Sequence, residues 1–443
     1  MNREPGAGLV EGLVEGLAAT PCINDHSHVI PEAERLTRDL DALSYFAHPY
    51  PAADLHAAGI SADDLHAIGD ASGPLEARWR RFEPYWRRVR LTGFSQCLLE
   101  GWRAVFGIEE LTADTVGPLS ERIREARRPG HYSHVLRERA NIAISLLQME
   151  DLTEVDRSLF LPMPRLNRWT MLRSRDGLEA IERDYGVRLA TLDDLVGAIG
   201  GVCRRWREAG APAVKLSQSY HRPLDFRERQ TAEARRVFDS LREGDYPGLD
   251  SDGGRVLEDF LVFAGCRAAA AEGLPVQFHV GPRAGVNGSL EGATAAPLTG
   301  LIRGVPEARF DLSHSGFPYL REAAVLAKTC ANVYLNLSWI HIYSPVGTRE
   351  ALAEWLRMVP WNKILGFGDD LYWVDTVLGH LIMARRNVAW ALGTLVEEGL
   401  VGESEALEVG RALFYDNPAD LNRLREGVRG LRPPRRMDPL HKS

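Results

Sequence analysis

His26 and His28 sit one residue apart in the stretch Cys22-Ile23-Asn24-Asp25-His26-Ser27-His28. On an extended strand, residues i and i+2 point to the same side, so both imidazoles can reach one metal ion from one strand end. Apolar Cys22 and Ile23 lead in and Val29-Ile30-Pro31 leads out, the pattern of a short buried strand meeting a loop. A lone His-x-His serves as readily at a surface or a cap. Its meaning depends on whether later segments supply further ligands.

Later segments do supply them. Val214-Lys215-Leu216 runs into Ser217, Tyr220 and Arg222. One apolar run ends at Gln277-Phe278-His279, and the next ends at Asp311-Leu312-Ser313-His314. Residues 332–337 lead to Ser338, Trp339 and His341, and residues 363–367 to Gly368-Asp369-Asp370. Singly, His279 reads as a satisfied core imidazole and Asp370 as a helix cap. Their joint placement at the ends of apolar runs reverses that preference. Two imidazoles from one strand, a third imidazole and a carboxylate suit Zn²⁺, with Mn²⁺ or Fe²⁺ as alternatives. Water beside such a cation titrates near neutrality, which marks a catalytic site.

The elements that must position these residues alternate between strand and helix. Strands are predicted around His26 and over 141–147, 158–162, 213–216, 275–280, 309–314, 332–337 and 363–367. Helices are predicted over 8–18, 192–209, 254–272, 319–329, 375–398 and 403–414. Eight such units predict an α/β fold, a closed (β/α)8 TIM barrel whose C-terminal strand ends carry the site. No G-x-G-x-x-G follows an early strand, which disfavours a doubly wound sheet. Residues 31–135 are rich in Leu, Ala, Arg and aromatics, and read as a large helical insertion covering the site, with helix starts at Asp54, Ser61 and Thr112. The chain thus divides into an N-terminal helix and first strand (1–30), the insertion (31–135), the rest of the barrel (136–425) and a Pro- and Arg-rich tail (426–443).

Composition narrows the partners. The 443 residues are 45% hydrophobic and carry a net charge of -8, which argues against nucleic acid or an anionic membrane and for a small-molecule substrate. The basic stretch Arg78–Arg90 is interleaved with Trp79, Phe82, Tyr85 and Trp86 at helical spacing, the mark of a half-packed helix. Five scattered cysteines without a C-x-x-C pair indicate reduced, cytoplasmic usage. No signal peptide and no membrane-spanning run is read.

The order and placement of His26-Ser27-His28, Lys215, His279, His314 and Asp370 resemble the amidohydrolase superfamily, in its amidohydrolase-2 branch. The match is carried by Leu274–His279, Leu312–Gly316, Asn332–Ser338, Gly366–Asp370 and Val214–Leu216 with Tyr220–Leu224. The large insertion is similar to that of uronate-isomerase-like members. The resemblance implies His26, His28, His279 and Asp370 as metal ligands, with Asp370 also moving a proton. It makes His314 a further ligand or the general base and electrophile. It gives Lys215 two roles, a carboxylated bridge between two metals or a cation facing substrate, of which the second is preferred here. Asn24 departs from the family's usual Asp, and Asp25 points to the opposite face.

The expected reaction is hydrolysis of an amide or related C–N bond by metal-activated water. Asp370, His314 and Lys215 would be catalytic, and Arg222, Tyr220, Arg283 and Trp339 would bind a carboxylate-bearing substrate. Decarboxylation and uronate-type isomerisation are the alternatives on the same barrel, the latter disfavoured by the lack of that group's Trp-Trp-rich signature near the eighth strand. A non-catalytic barrel scaffold is the alternative from another class. Family habit points to a homo-oligomer.

Overall fold

Eight parallel strands form where the apolar runs place them: β1 Cys22–Ser27, β2 Ile142–Met149, β3 Phe160–Pro164, β4 Val214–Leu216, β5 Val276–His279, β6 Phe310–Ser313, β7 Val333–Asn336 and β8 Ile364–Leu365. The computed structural model describes residues 4–248 and 251–424; the expected tail from 426 lies outside the described residues. The strands pair in chain order in two ladders, β1-β2-β3 and β4-β5-β6-β7-β8. Single contacts join the ladders into a barrel. Between β3 and β4, Arg165 bridges Lys215, and the Leu166 N–H donates to Lys215 O at 2.9 Å. Between β8 and β1, the Asp25 N–H donates to Phe367 O at 3.2 Å and the Asp370 N–H to His26 O at 3.0 Å. The architecture is the expected (β/α)8 barrel with a helical insertion after β1.

The barrel interior is polar. Gln277 Nε2 donates to Asp311 Oδ2 at 2.7 Å, Asn336 Nδ2 to Asp311 Oδ1 at 2.9 Å, and Lys215 Nζ to Ser313 Oγ at 2.9 Å. These buried groups are held because each finds a partner, as buried polar groups must. The apolar core lies outside this layer, between strands and surrounding helices.

The insertion builds a core of its own from Phe46, Phe82, Trp86 and Trp102, with the Phe46 and Phe82 ring centroids 4.5 Å apart. Ser61 caps the helix Ala62–Gly69 by accepting from the Asp64 N–H, as expected. Asp54 starts no helix; it lies inside Pro49–Ala57, because Pro49 supplies the first-turn residue that needs no N–H partner. The next predicted start shifts from Thr112 to Val116, since Thr112 and Thr115 bond each other's backbone N–H in a turn.

The helix Gly93–Phe106 of the insertion crosses the long helix Val374–Glu397 at Gly101 and Gly379. A Cβ on Gly379 would run into the backbone of Cys97 and Gly101, so this crossing needs glycine. Beside it, the fully buried Asp375 accepts from Arg35 Nη2 at 2.8 Å and pairs with Tyr45 and His131, three residues of the insertion. Although burial alone pushes the Asp375 carboxyl up, these partners hold it well below the usual carboxylate range. Removing one partner of such a buried set costs about 3–5 kcal/mol. Asp375→Asn should therefore lower Tm by several degrees or more in thermal unfolding; a Tm equal to wild type would show that the insertion is held by its apolar contacts alone.

Candidate metal centre and active-site cavity

β1 carries His26 and His28 to the C-terminal mouth of the barrel, where they meet Asp370 from the loop after β8. His26 Nε2 lies 3.2 Å and His28 Nε2 3.1 Å from Asp370 Oδ1. His314, at the end of β6, places Nε2 3.7 Å from Asp370 Oδ2. His279, at the end of β5, places Nδ1 3.2 Å from His314 Nε2. His26, His314 and Asp370 form the tightest group, with ligand atoms all within 4.8 Å of one another. Asp369, by contrast, turns inward, where its Oδ2 accepts from Asn24 Nδ2 at 2.5 Å and Ser27 Oγ at 2.9 Å. Asn24 thus holds Asp369 rather than facing the centre, and Asp25 lies in the barrel interior beside Asn336 at 3.2 Å.

The backbone here is special. His314, Ser315, Trp339 and Asp370 all adopt positive φ, between 47° and 66°. Non-glycine residues in this region are strained, and such residues cluster at functional sites. Gly368 is obligatory beneath them, since its Cβ would come within 2.6 Å of the side chains of His26 and Ser338.

The hydrogen bonds specify which ring nitrogens carry protons. His26 Nδ1 donates to Gln277 Oε1 at 2.6 Å, and His314 Nδ1 donates to the Ser338 carbonyl at 3.0 Å. His279 Nε2 donates to the Pro282 carbonyl at 3.3 Å. In the neutral rings, the remaining nitrogens carry lone pairs. Burial, followed by the Lys215 charge for His26 and by His314 for His279, holds both rings well below the usual histidine range, and burial puts His314 at about 4. Lone pairs of His26, His314 and His279 thus face one another and an ionised Asp370. Burial by itself pushes that carboxyl up, and positive charge on the side of His26 and His28 holds it well below its ordinary value, a charge that neutral rings leave to a cation. Lone pairs aimed at a carboxylate repel it unless a cation lies between. The donor set therefore fits a divalent metal, and the Nδ1 partners are the outer contacts that orient ligating histidines.

Above the centre opens a cavity of about 1350 Å³. His26, His28, His279, Asp370, Lys215 and Tyr220, all expected from the sequence, line it. Lys215 is fully buried at its wall, and burial pushes its ammonium down to about 7. Three other expectations are corrected. Arg222 is buried away from the cavity, its Nη2 donating to Asp259 Oδ1 at 2.8 Å. Arg283 donates through Nε to Ser219 O at 3.1 Å and pins its own loop. Trp339 stands behind the site, its ring centroid 5.3 Å from that of His314 and 5.0 Å from that of Tyr50.

The structure adds residues that the strand-end reading missed. His48 and Tyr50 come from the insertion and line the cavity, as do Gln148 from β2 and Arg165 just after β3. Tyr50 lies against Asp370, and burial first, then the Asp370 charge, keeps its phenol protonated well beyond its usual range. Arg165 follows the strand-end rule and was legible by it. His48 and Tyr50 were not, because nothing local in a helical insertion says which residues reach back over the barrel.

The amidohydrolase family model matches residues 204–423. A uronate isomerase of Phenylobacterium zucineum is 26% identical over 92% of this chain and 92% of its own length. The solved uronate isomerase of Thermotoga maritima superposes with a TM-score of 0.79 at 16% identity, covering 94% of this chain and 98% of its own. The glucuronate isomerase of Caulobacter crescentus gives 0.77 at 20% identity, covering 96% of each chain. The resemblance read in the sequence is borne out: the matched family model and the uronate isomerases aligned along the chain support an amidohydrolase-superfamily member resembling uronate isomerases, and members of that superfamily bind a divalent metal. The hydrolase expectation is overturned, because the curated relatives that align along 90% or more of this chain are uronate isomerases. After β8 the rings of Tyr372 and Trp373 meet edge-on with centroids 5.1 Å apart.

The lone-pair geometry makes a direct prediction. Protein purified without chelator should hold about one equivalent of divalent metal, and Gln277→Ala, which frees His26 Nδ1, should weaken its retention about 10–100-fold in chelator competition. Metal content indistinguishable from zero, even after reconstitution, would refute the centre.

Proposed function

We propose that this protein is an isomerase of a uronate-type sugar acid, interconverting aldose and ketose forms on a single divalent metal, Zn²⁺ by the chemistry of its nitrogen-rich donor set. The observation that carries this reading is the meeting of the protonated Tyr50 phenol, delivered by the insertion, with the ionised Asp370 at the floor of an arginine-walled cavity. His26, His28, His279, His314 and Asp370 would hold the metal. When bound, the cation would polarise the substrate carbonyl and lower the barrier to removing the neighbouring C–H proton.

Isomerisation moves two protons and consumes no water. The C2 proton must pass to C1, and the O2 hydroxyl proton to O1. Asp370 Oδ2, the less engaged of its two oxygens, takes the proton from C2 and returns it to C1. Tyr50 donates its phenolic proton to O1 and recovers one from O2, ending as it began. His48, half-buried beside Tyr50 with ring centroids 4.9 Å apart, is pushed by burial to about 4 and stays neutral, so it orients the phenol without repelling the cation. The sugar's carboxylate would lie against Arg165, whose Nε is buried without a partner, with Lys215 and Tyr220 on the adjoining wall.

The five cysteines are free, four of them buried, which supports a reducing, cytoplasmic setting, and no helix of the described residues is long and apolar enough to cross a membrane. We propose a homo-oligomer on family habit alone.

Incubation of the metal-loaded enzyme with glucuronate or galacturonate in D₂O should yield the corresponding ketouronate, with deuterium at C1 wherever the transferred proton exchanges with solvent. Turnover of N-acyl amino acids with no action on either uronate would reverse the assignment. Tyr50→Phe should lower kcat about a hundredfold or more while metal content stays at the parent level. An unchanged kcat would remove Tyr50 from the proton path.

A further inference from the structure

We propose that the cavity contains a second anion subsite centred on Arg173, and hence that the substrate is a sugar acid carrying an anionic group beyond its own carboxylate. This rests on the uronate reading of the site and extends it.

The wall is charged against the trend of the molecule. The chain has a net charge of -8, yet Arg165, Arg168, Arg173 and Lys215 line the cavity against Glu150 and Asp370. The space is also generous: about 1350 Å³, where roughly 300–1000 Å³ serves ligands larger than a single hexuronate. Something longer than one sugar acid fits, and the charge says what its far end carries.

Arg173 is built to receive it. Its Nε donates at 2.6 Å to Glu258, a fully buried acid on the helix Asp252–Ala271. That bond fixes the plane of the guanidinium. Its Nη2 is buried and has no partner. A buried donor with no acceptor is costly and rare in native structures, and a ligand acceptor is its natural complement. Arg168, on the same wall, is occupied by Asp184 at the surface and has no such vacancy.

The surrounding ion pairs leave the charge uncancelled. Arg173, Arg222, Arg229 and Arg255 face Glu258, Asp259 and Asp225, four cations to three acids in this network. Arg173 is the member that lines the cavity, with the exposed His221 beside it. A rigid, partly desolvated guanidinium of this kind suits a carboxylate or a phosphate ester equally. The group is therefore the carboxylate of an adjoining acidic sugar or a phosphate on the same sugar.

Titration calorimetry on the metal-loaded enzyme separates the cases. Two pairs are compared, galacturonate with α-1,4-digalacturonate, and gluconate with 6-phosphogluconate. At least one of the two ligands with the added anionic group should bind about tenfold or more tightly than its monoanionic counterpart. Arg173→Gln should remove most of that advantage and Arg173→Lys restore part of it. The pair showing the effect identifies the source of the anion. Equal affinity within both pairs in the wild type overturns the subsite, whether or not the variants fold, and so does an advantage that survives in folded Arg173→Gln. Failure of both galacturonate and glucuronate to bind overturns the uronate reading instead, and the gluconate pair still decides the subsite.

Discussion

Asp370 is an ionised carboxylate held almost entirely out of water, faced by imidazole nitrogens that carry lone pairs rather than protons. Burying a charge is expensive unless an opposite charge meets it. A cation among these groups turns mutual repulsion into coordination, and much of the barrel can be understood as the framework that holds them close until it binds. The positive φ of Asp370 and His314 and the obligatory Gly368 are local costs of that convergence. So is the unusual interior, where Gln277, Ser313 and Asn336 satisfy Asp311 and Lys215 and thereby fix the rings above them. An apolar interior of the same volume would pack as well but could not orient His26.

The insertion performs the complementary task. Its own aromatic core makes it rigid, and the Asp375 cluster and the Gly101–Gly379 crossing tie it to the barrel's last long helix. That helix begins four residues after Asp370, so the insertion and the metal centre share one anchor. His48 and Tyr50 are thereby delivered over the same carboxylate that β1, β6 and the β8 loop surround.

Strand-end chemistry was legible because a parallel barrel puts every such end on one face. His26, His28, Lys215, His279, His314 and Asp370 could all be placed by apolar runs of known period, without any knowledge of how the chain closes. The choice of Asp370 over Asp369 came instead from the resemblance, whose Gly-x-Asp ending Gly368-Asp369-Asp370 matches; strand alternation could not give it, since Asp370 sits at φ 49°. Arg222 misled because an arginine near a strand end looks like an anion binder, whereas its partners Glu258 and Asp259 come from a helix more than thirty residues away. Tyr50 and Arg173 were invisible for the converse reason. Each acts through a long-range neighbour, and no local pattern encodes such a meeting.

The same limit explains why the ligand set pointed to the wrong reaction. Imidazoles and a carboxylate around a divalent cation polarise a carbonyl whatever happens next. Hydrolysis requires that water reach that carbonyl; isomerisation requires that a proton relay lie along the C1–C2 bond and that water be kept from the intermediate. The distinction therefore resides in what covers the metal. Here that cover is Tyr50 and His48, with Tyr372 beside them, a phenol and aromatic rings set over the carboxylate. The barrel supplies a generic electrophile, and the insertion decides what is done with it.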